Sequence, residues 1–196
     1  MHVTETIDYD FSTSPDRHGI ERNIPIEFTY DKDRVREYPI SNITARSTSG
    51  VSGELKEDIG STAALRIGSA NKTVGGEQSY VIEYDLKGVV NSFDDHQELY
   101  WNAIGSEWSV PIRTAAVQVK GPAAIREVAC FKGLQGSTDT CDGTIGSDGA
   151  ASFTASGLGA GQGLTVVTSF PVGTFPNAAP ILKERQTLQR AFSLTR

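Results

Sequence analysis

Tyr80-Val81-Ile82-Glu83-Tyr84-Asp85-Leu86 is the stretch of this 196-residue chain that decides its fold class. Its largest apolar side chains occupy every second position, and Val81, Glu83 and Asp85 fall between them. Because successive side chains of a strand point to opposite faces, this period of two predicts a half-buried β-strand. The Gly75-Gly76 pair before it is typical of a turn. The segment from Val3 to Phe11 alternates in the same way, and only Glu5 interrupts its apolar side.

The remaining segments extend this β pattern over most of the chain. Short alternating runs are separated by glycine, proline, asparagine and aspartate, and no long amphipathic helix interrupts them. This arrangement predicts an all-β protein, an antiparallel β-sandwich of immunoglobulin-like or related two-sheet architecture. Pro25 places the second run at a sheet edge or makes it the start of a strand, because proline cannot donate to the ladder. The segment 31–37 reads as a charged connector.

We expect one sandwich domain over residues 1–175 and a stalk over residues 176–196. Two smaller β modules that meet near residues 113–125 are the alternative. Each of those modules would have a thin core, so the single sandwich is preferred. Prolines punctuate the stalk, and its run Ile181–Phe192 contains good helix formers and no glycine. We therefore predict a short C-terminal helix or a flexible stalk, directed toward a membrane segment that is absent from this chain.

The overall composition excludes several function classes. Charged residues make up 21% of the chain and hydrophobic residues 38%, which is typical of a globular protein. The net charge is −6 and no Lys/Arg cluster is present, so a nucleic-acid partner is not expected. The glycines are scattered between predicted strands rather than placed before a helix, which indicates no phosphate-binding loop and no cofactor.

Cys130 and Cys141 are the two cysteines of the chain. The residues between them are mostly small, polar and turn-prone, which favours a hairpin closed by a disulfide over two unrelated thiols. A disulfide indicates an oxidising, extracytoplasmic compartment. A zinc site would require two further cysteine or histidine ligands nearby, and the neighbouring sequence has none.

The segment 91–112 concentrates aromatic and acidic residues and is the candidate ligand surface. Its candidate side chains are Asp94, Asp95, His96, Glu98, Tyr100, Trp101, Glu107 and Trp108. The preferred interpretation places Trp101 and Trp108 in the sandwich core. The alternative is a polysaccharide-binding surface, or a hydrolase that uses Glu98 and Glu107 as its two carboxyl groups. Asp94, Asp95 and Glu98 could supply oxygen ligands to calcium, although a simple polar loop explains them better.

The sequence contains no clear motif for nucleophilic catalysis. The chain has three histidines and no Gly-x-Ser-x-Gly motif, so a nucleophilic triad is not expected. Residues near the second predicted strand are interpreted as a surface salt-bridge cluster of little energetic value; they are Arg17, His18, Glu21 and Arg22. No catalytic residue is therefore predicted.

Five stretches of the chain resemble a known family. The five stretches are Val3-Thr-Glu-Thr-Ile-Asp-Tyr-Asp-Phe, His18-Gly-Ile-Glu-Arg-Asn-Ile-Pro, Asn91-Ser-Phe-Asp-Asp-His-Gln-Glu-Leu-Tyr-Trp-Asn, Glu107-Trp-Ser-Val-Pro-Ile and Gly161-Gln-Gly-Leu-Thr-Val-Val. Their order resembles the predicted membrane-protein family catalogued as domain of unknown function 2207. The resemblance implies a secreted β domain followed by membrane helices, and it implies no catalytic residues.

From these observations we expect an uncharacterised ectodomain of a bacterial membrane-anchored protein. It would lie outside the cytoplasmic membrane and bind an envelope glycan or protein partner. Its membrane attachment would come from the absent C-terminal segment.

Overall fold

The computed structural model describes residues 1–14 and 16–185, and these residues form seventeen strands and no helix. The predicted all-β class is therefore confirmed, and every strand pairing is antiparallel. The strands fall into two compact units. The first unit comprises Met1–Lys87 and the described chain from Ile181, and the second comprises Gly88–Pro180.

The first unit contains three sheets of three strands each. One sheet has the order β1-β8-β5, with β1 at His2–Asp10, β8 at Glu77–Leu86 and β5 at Ile40–Ser47. Another has the order β2-β7-β6, with β2 at Gly19–Pro25, β7 at Thr62–Gly68 and β6 at Leu55–Ile59. The third has the order β17-β4-β3, with β17 at Ile181–Glu184, β4 at Arg34–Glu37 and β3 at Glu27–Thr29.

The second unit contains one five-stranded and one three-stranded sheet. The five-stranded sheet has the order β13-β12-β16-β10-β9, formed by Asp139–Thr140, Glu127–Gly133, Gly163–Phe170, Gln97–Ile104 and Val90–Ser92. The three-stranded sheet has the order β11-β15-β14, formed by Ile112–Val119, Ala151–Leu158 and Asp142–Ile145.

Each unit has a core built from one face of its strands. In β8 the alternating set Tyr80, Ile82, Tyr84 and Leu86 is at most 1% exposed, as the sequence predicted. In the second unit, β16 buries Leu164, Val166, Thr168 and Phe170, and β15 buries Ala151, Phe153, Ala155 and Leu158. Full burial of one large apolar side chain contributes about 1.5–3 kcal/mol, so these faces dominate the stability of the two units.

Two local predictions about strands are wrong. Ile181–Glu184, expected to belong to a short C-terminal helix or a flexible stalk, forms a strand that pairs with β4 in the register Ile181↔Glu37 to Glu184↔Arg34. Backbone pairing with an existing strand outweighs helix propensity in so short a segment, since isolated short helices are marginal in water. Residues 186–192 of the predicted helix lie outside the described residues. The charged connector 31–37 contains β4, whose Val35 is buried.

The irregular phase of β5 has a structural cause. Ile40 and Ile43 do not alternate in the sequence, and the β5–β8 register shifts between Ser41 and Thr44. Asn42, inside this irregularity, has a positive φ of 53°, a conformation that asparagine tolerates better than most residues. The division between the units falls after Lys87, not near residues 113–125.

Candidate functional site

The solvent-facing side of the five-stranded sheet, here called the outer face, collects part of the predicted ligand surface. The register aligns three cross-strand rows: Glu98, Ser169 and Glu127; Tyr100, Val167 and Ala129; Asn102, Thr165 and Phe131. Tyr100 is 49% exposed in the middle row. The Thr165 hydroxyl donates to Asn102 Oδ1 at 2.7 Å. The outer face thus presents aromatic, amide, hydroxyl and carboxylate groups on one surface.

The alternation of β10 divides the predicted residues between two environments. Glu98, Tyr100 and Asn102 point outward, whereas Gln97, Leu99 and Trp101 are buried. Trp101 is 8% exposed, which agrees with its assignment to the core and removes it from the exposed surface. Trp108, in the segment after β10, is half-buried.

Gln97 is a buried polar residue that the sequence did not single out. Its Nε2 donates to the Phe175 carbonyl at 2.9 Å and to Ser92 Oγ at 3.0 Å. Its Oε1 accepts from the Phe175 amide at 2.7 Å. Because the side-chain amide is fully paired, it ties the segment after β16 to the start of β10.

His96 is the centre of a small polar cluster at the turn between β9 and β10. Its Nδ1 lies 2.6 Å from Asp95 Oδ1 and its Nε2 lies 4.0 Å from Glu98 Oε2. The Phe93 ring stacks on the imidazole with centroids 4.7 Å apart. The hydrogen bond from His96 lowers the pKa of the Asp95 carboxyl below its usual value. Asp94 is exposed beside this cluster.

The calcium hypothesis gains no support from this arrangement. Within residues 1–14 and 16–185, no group of three or more His, Cys, Asp or Glu side chains is placed to hold a metal ion. Asp94, Asp95 and Glu98 are therefore not brought together as ligands. Asp95 instead pairs with the imidazole of His96.

The structure also separates the two carboxylates of the hydrolase alternative. Glu98 lies near the start of β10, and Glu107 follows the end of that strand. At about 3.3 Å per residue, the strand from Glu98 to its last residue spans roughly 20 Å. Trp108, next to Glu107, stays at that far end, where its carbonyl accepts from the Gly161 amide at 2.8 Å. Glycosidases need carboxyl groups about 5–10 Å apart, so this pair does not form such a site.

Arg22 does not belong to a surface cluster, which corrects the sequence interpretation. It is 3% exposed, and its Nε and Nη2 donate to the two Glu5 oxygens at 2.7 and 3.0 Å. Its Nη1 donates to the Asn23 carbonyl at 2.6 Å. Tyr84 Oη donates to Glu5 Oε1 at 2.6 Å. Glu21, in contrast, pairs with exposed Arg66 at 2.7 Å.

The Glu5 carboxylate stabilises the charged form of the buried Arg22 side chain. Burial opposes the charge on Arg22, but the Glu5 carboxylate outweighs it, so the pKa of the guanidinium is raised. Burial, followed by the negative charge of Glu5, raises the pKa of the Tyr84 phenol. The sequence signal for this pair was Glu5, the single charged residue on the apolar side of β1. A charge at such a position needs a buried partner.

The predicted disulfide between Cys130 and Cys141 is confirmed. Its Cα atoms are 5.1 Å apart, within the usual range for a disulfide. The Cys141 amide also donates to the Cys130 carbonyl at 3.1 Å. Cys130 belongs to β12, and Cys141 lies between β13 of the five-stranded sheet and β14 of the three-stranded sheet, so the bond holds β12 to the point where the chain passes from one sheet to the other.

These features define an all-β, disulfide-bonded chain in which only part of the candidate set, including Glu98 and Tyr100, lies on the outer face. A model of the family described as predicted membrane protein (DUF2207) N-terminal domain matches residues 1–170. The chain belongs to this family, which confirms the resemblance seen in its sequence motifs. No curated protein and no solved structure matches the chain significantly. Within its described part, the chain has no helix of the length and apolarity that a membrane span requires.

Proposed function

We propose that this chain is the extracytoplasmic ectodomain of a bacterial membrane-anchored protein and acts as a binding or assembly module at the cell envelope. The observation that carries the binding role is the outer face, where Tyr100 stands half exposed between polar rows. A tyrosine in such a position offers a rigid contact area at low entropic cost, together with a hydroxyl. The separation of Glu98 from Glu107 favours binding over hydrolysis.

The extracytoplasmic location is supported by two independent features. Family membership connects the domain to a membrane protein, and the disulfide fits an oxidising compartment. Trapping of thiols in intact cells tests this location. Cys130 and Cys141 should resist alkylation until a reductant is added, and the domain should be degraded by protease added outside the cytoplasmic membrane. Free thiols in the native host would contradict the proposal.

Site-specific photocrosslinking in the native envelope tests the binding surface. A photoreactive residue at Tyr100 should give a defined adduct, because that position lies in the middle of the outer face. Tyr30 provides a matched control, since it is also 49% exposed but lies in the first unit. Equal labelling at both positions, or no adduct at Tyr100, would remove the outer face as the binding surface.

An envelope protein is one candidate partner, and polysaccharide is the second. The aromatic and hydrogen-bonding groups on the outer face favour polysaccharide. Aromatic faces contact sugar rings, and the carboxylate, amide and hydroxyl groups of the three rows can bind sugar hydroxyls. A screen with envelope glycans and peptidoglycan fragments tests this ligand class. Tyr100→Ala should weaken binding about tenfold or more, the equivalent of about 1.4 kcal/mol, whereas Tyr30→Ala should leave it unchanged.

We also propose that the two sheets of the second unit pack as an immunoglobulin-like or related sandwich. The alternating buried sides of β16 and β15 support this packing, as does the disulfide. A Cβ atom added at Gly143 on β14 would lie 3.5 Å from a methyl group of Val128 on β12, so strands of the two sheets approach closely. An experimental structure of this unit with the two sheets side by side, not face to face, would refute the sandwich.

A further inference from the structure

The edge strands of the five sheets are protected to very different degrees. Exposed edges carry unpaired N–H and C=O groups, and proteins usually blunt them with short strands, charges, prolines or bulges. Five edge strands have at most four residues: β3, β9, β13, β14 and β17. These short strands offer little backbone for an added strand.

Four of the five longer edge strands carry a protective feature. β1 contains Glu5, Asp8 and Asp10, and β6 contains Lys56, Glu57 and Asp58. β2 has two charged residues and ends at Pro25. β5 has the register shift between Ser41 and Thr44. Each of these features is known to disfavour pairing at an edge.

β11 is the least protected of the five longer edge strands. It is eight residues long, with the sequence Ile-Arg-Thr-Ala-Ala-Val-Gln-Val, and its single charge lies near one end. Its register with β15 has no shift between Ile112↔Leu158 and Val119↔Ala151, although Arg113 and Gly157 are not paired, and it is unbroken from Thr114↔Ser156 onward. Among the described residues it pairs with β15 alone, so no strand is hydrogen-bonded to its other side. A long, nearly uncharged edge without a register shift is a template for strand addition.

The β11 sequence is self-complementary about Ala116. In an antiparallel pair of two β11 strands, side chains directly opposite each other share a face of the sheet. Centring the pair on Ala116 places Ala115 opposite Val117, and both are half-buried on the inward side. The same register places Thr114 opposite Gln118, and both are exposed. Within the span 114–118 no charged residue meets another.

We propose that two copies of this chain associate through antiparallel pairing of their β11 strands, with a two-fold axis at Ala116. The two three-stranded sheets then form one six-stranded sheet. The contact is isologous, because the same edge of each copy faces the other, and it therefore closes as a dimer. This proposal is independent of the outer face, which belongs to the other sheet of the same unit.

Measurement of molar mass over a concentration series tests the association. The 196-residue chain should approach about twice its monomer mass of 21.0 kDa as the concentration rises. Ala116→Lys should remain a monomer at every concentration, because the two lysines would be directly opposite at the axis. Thr154→Lys is the matched control: it lies opposite Ala116 on the same exposed face, but on the central strand β15, so this variant should still dimerise.

A cysteine scan tests the register separately. The natural cysteines are bonded to each other, so a new cysteine is the single free thiol of the described chain. Ala116→Cys should form an intermolecular disulfide under mild oxidation, whereas Thr114→Cys should not, because it faces Gln118 of the second copy. A wild-type chain that stays at 21.0 kDa at millimolar concentration would overturn the proposal. Dimers that persist in Ala116→Lys, or preferential cross-linking at position 114, would overturn it as well.

Discussion

Arg22 of β2 holds both carboxylate oxygens of Glu5 on β1, so a bidentate ion pair joins two different sheets of the first unit. The Arg22 side chain is 3% exposed and the Glu5 side chain 16%. Tyr84 adds a third strand to this network through its hydroxyl. Such a pair is favourable only while both partners are present, because the Arg22 charge is buried and the Glu5 charge is largely shielded from water.

Removal of the Glu5 charge should strongly destabilise the first unit. Glu5→Gln keeps the shape of the side chain but leaves the buried Arg22 charge uncompensated, so we expect a loss of about 3–5 kcal/mol in the free energy of unfolding. Chemical denaturation followed by far-UV circular dichroism, with amide exchange in β1 and β8, measures this loss.

The exposed pair of Glu21 and Arg66 provides the control for that experiment. Its N–O distance of 2.7 Å equals the shorter one of the buried pair, but its side chains are 44% and 63% exposed. Glu21→Gln should therefore cost less than about 1 kcal/mol. Equal losses for the two variants would show that burial does not decide the energetic importance of Glu5.

Loss of the disulfide should destabilise the second unit. A closed loop of this length contributes somewhat under about 3 kcal/mol in the chain-entropy model, so Cys130→Ala with Cys141→Ala should lower the free energy of unfolding by about 2–3 kcal/mol. Trp101 and Trp108 are the two tryptophans of the chain and both belong to this unit, so tryptophan fluorescence follows its unfolding selectively. Thr140→Ala, an exposed neighbour of Cys141, should change stability by less than about 0.5 kcal/mol.

Asn42 should control the titration of Asp85. Its Nδ2 donates to Asp85 Oδ2 at 2.7 Å, and this bond, followed by the one from His2, lowers the pKa of the Asp85 carboxyl. Asn42→Gly keeps the left-handed backbone available but removes the donor, so the pKa should rise toward its usual value. Carboxyl NMR titration measures the change. The lowered pKa of Asp31, whose main cause is Arg34, should stay the same in this variant.

The sign of the associated pH effect follows from the direction of that shift. Because the folded-state pKa of Asp85 is depressed, its interactions stabilise the protein above the unfolded-state pKa. This contribution disappears as the pH falls through the lowered folded-state value. Asn42→Gly should therefore flatten the acid limb of the stability profile. A pKa of Asp85 that does not move in the variant would exclude Asn42 as the cause.

Calcium should not change the thermal stability of the chain. A cation that binds only the folded state raises the melting midpoint, and the described carboxylates form no cluster able to hold one. Melting curves recorded with millimolar calcium and with a chelator should therefore coincide. A higher midpoint in calcium that is lost in Asp95→Asn would contradict this expectation and restore the segment 94–98 as a metal site.

Some strands could be predicted from the sequence, and others could not. β1 and β8 could be predicted because the side chains on their inward face alternate in the sequence with more exposed ones. That alternation identifies both the strand and its inward face. β4 and β17 were not predictable, since four-residue strands carry too few positions to establish a period. The irregular phase at Ile40 and Ile43 was visible, but its cause was a register shift that only pairing with β8 defines.

The candidate site shows the same limit. The aromatic and acidic character of the segment 91–112 was evident and Trp101 was assigned to the core, but the spacing did not show which of the remaining side chains share a surface. The structure assigns Tyr100 and Glu98 to the outer face, Trp101 to the core and Glu107 to the far end of β10. Spacing along the chain cannot show which residues of neighbouring strands come to share a row, because the register is set by the other strands of the sheet.

By itself the sequence determined the all-β class, the disulfide and the family, since these depend on local alternation, on two cysteines and on motifs in a fixed order. Tertiary structure alone decided that Glu5 and Arg22 form a buried pair, that the described strands divide into two units, and that β11 is an edge strand. These properties depend on which strands become neighbours. That choice is made by the burial of apolar faces over the whole unit, which no single segment of the chain encodes.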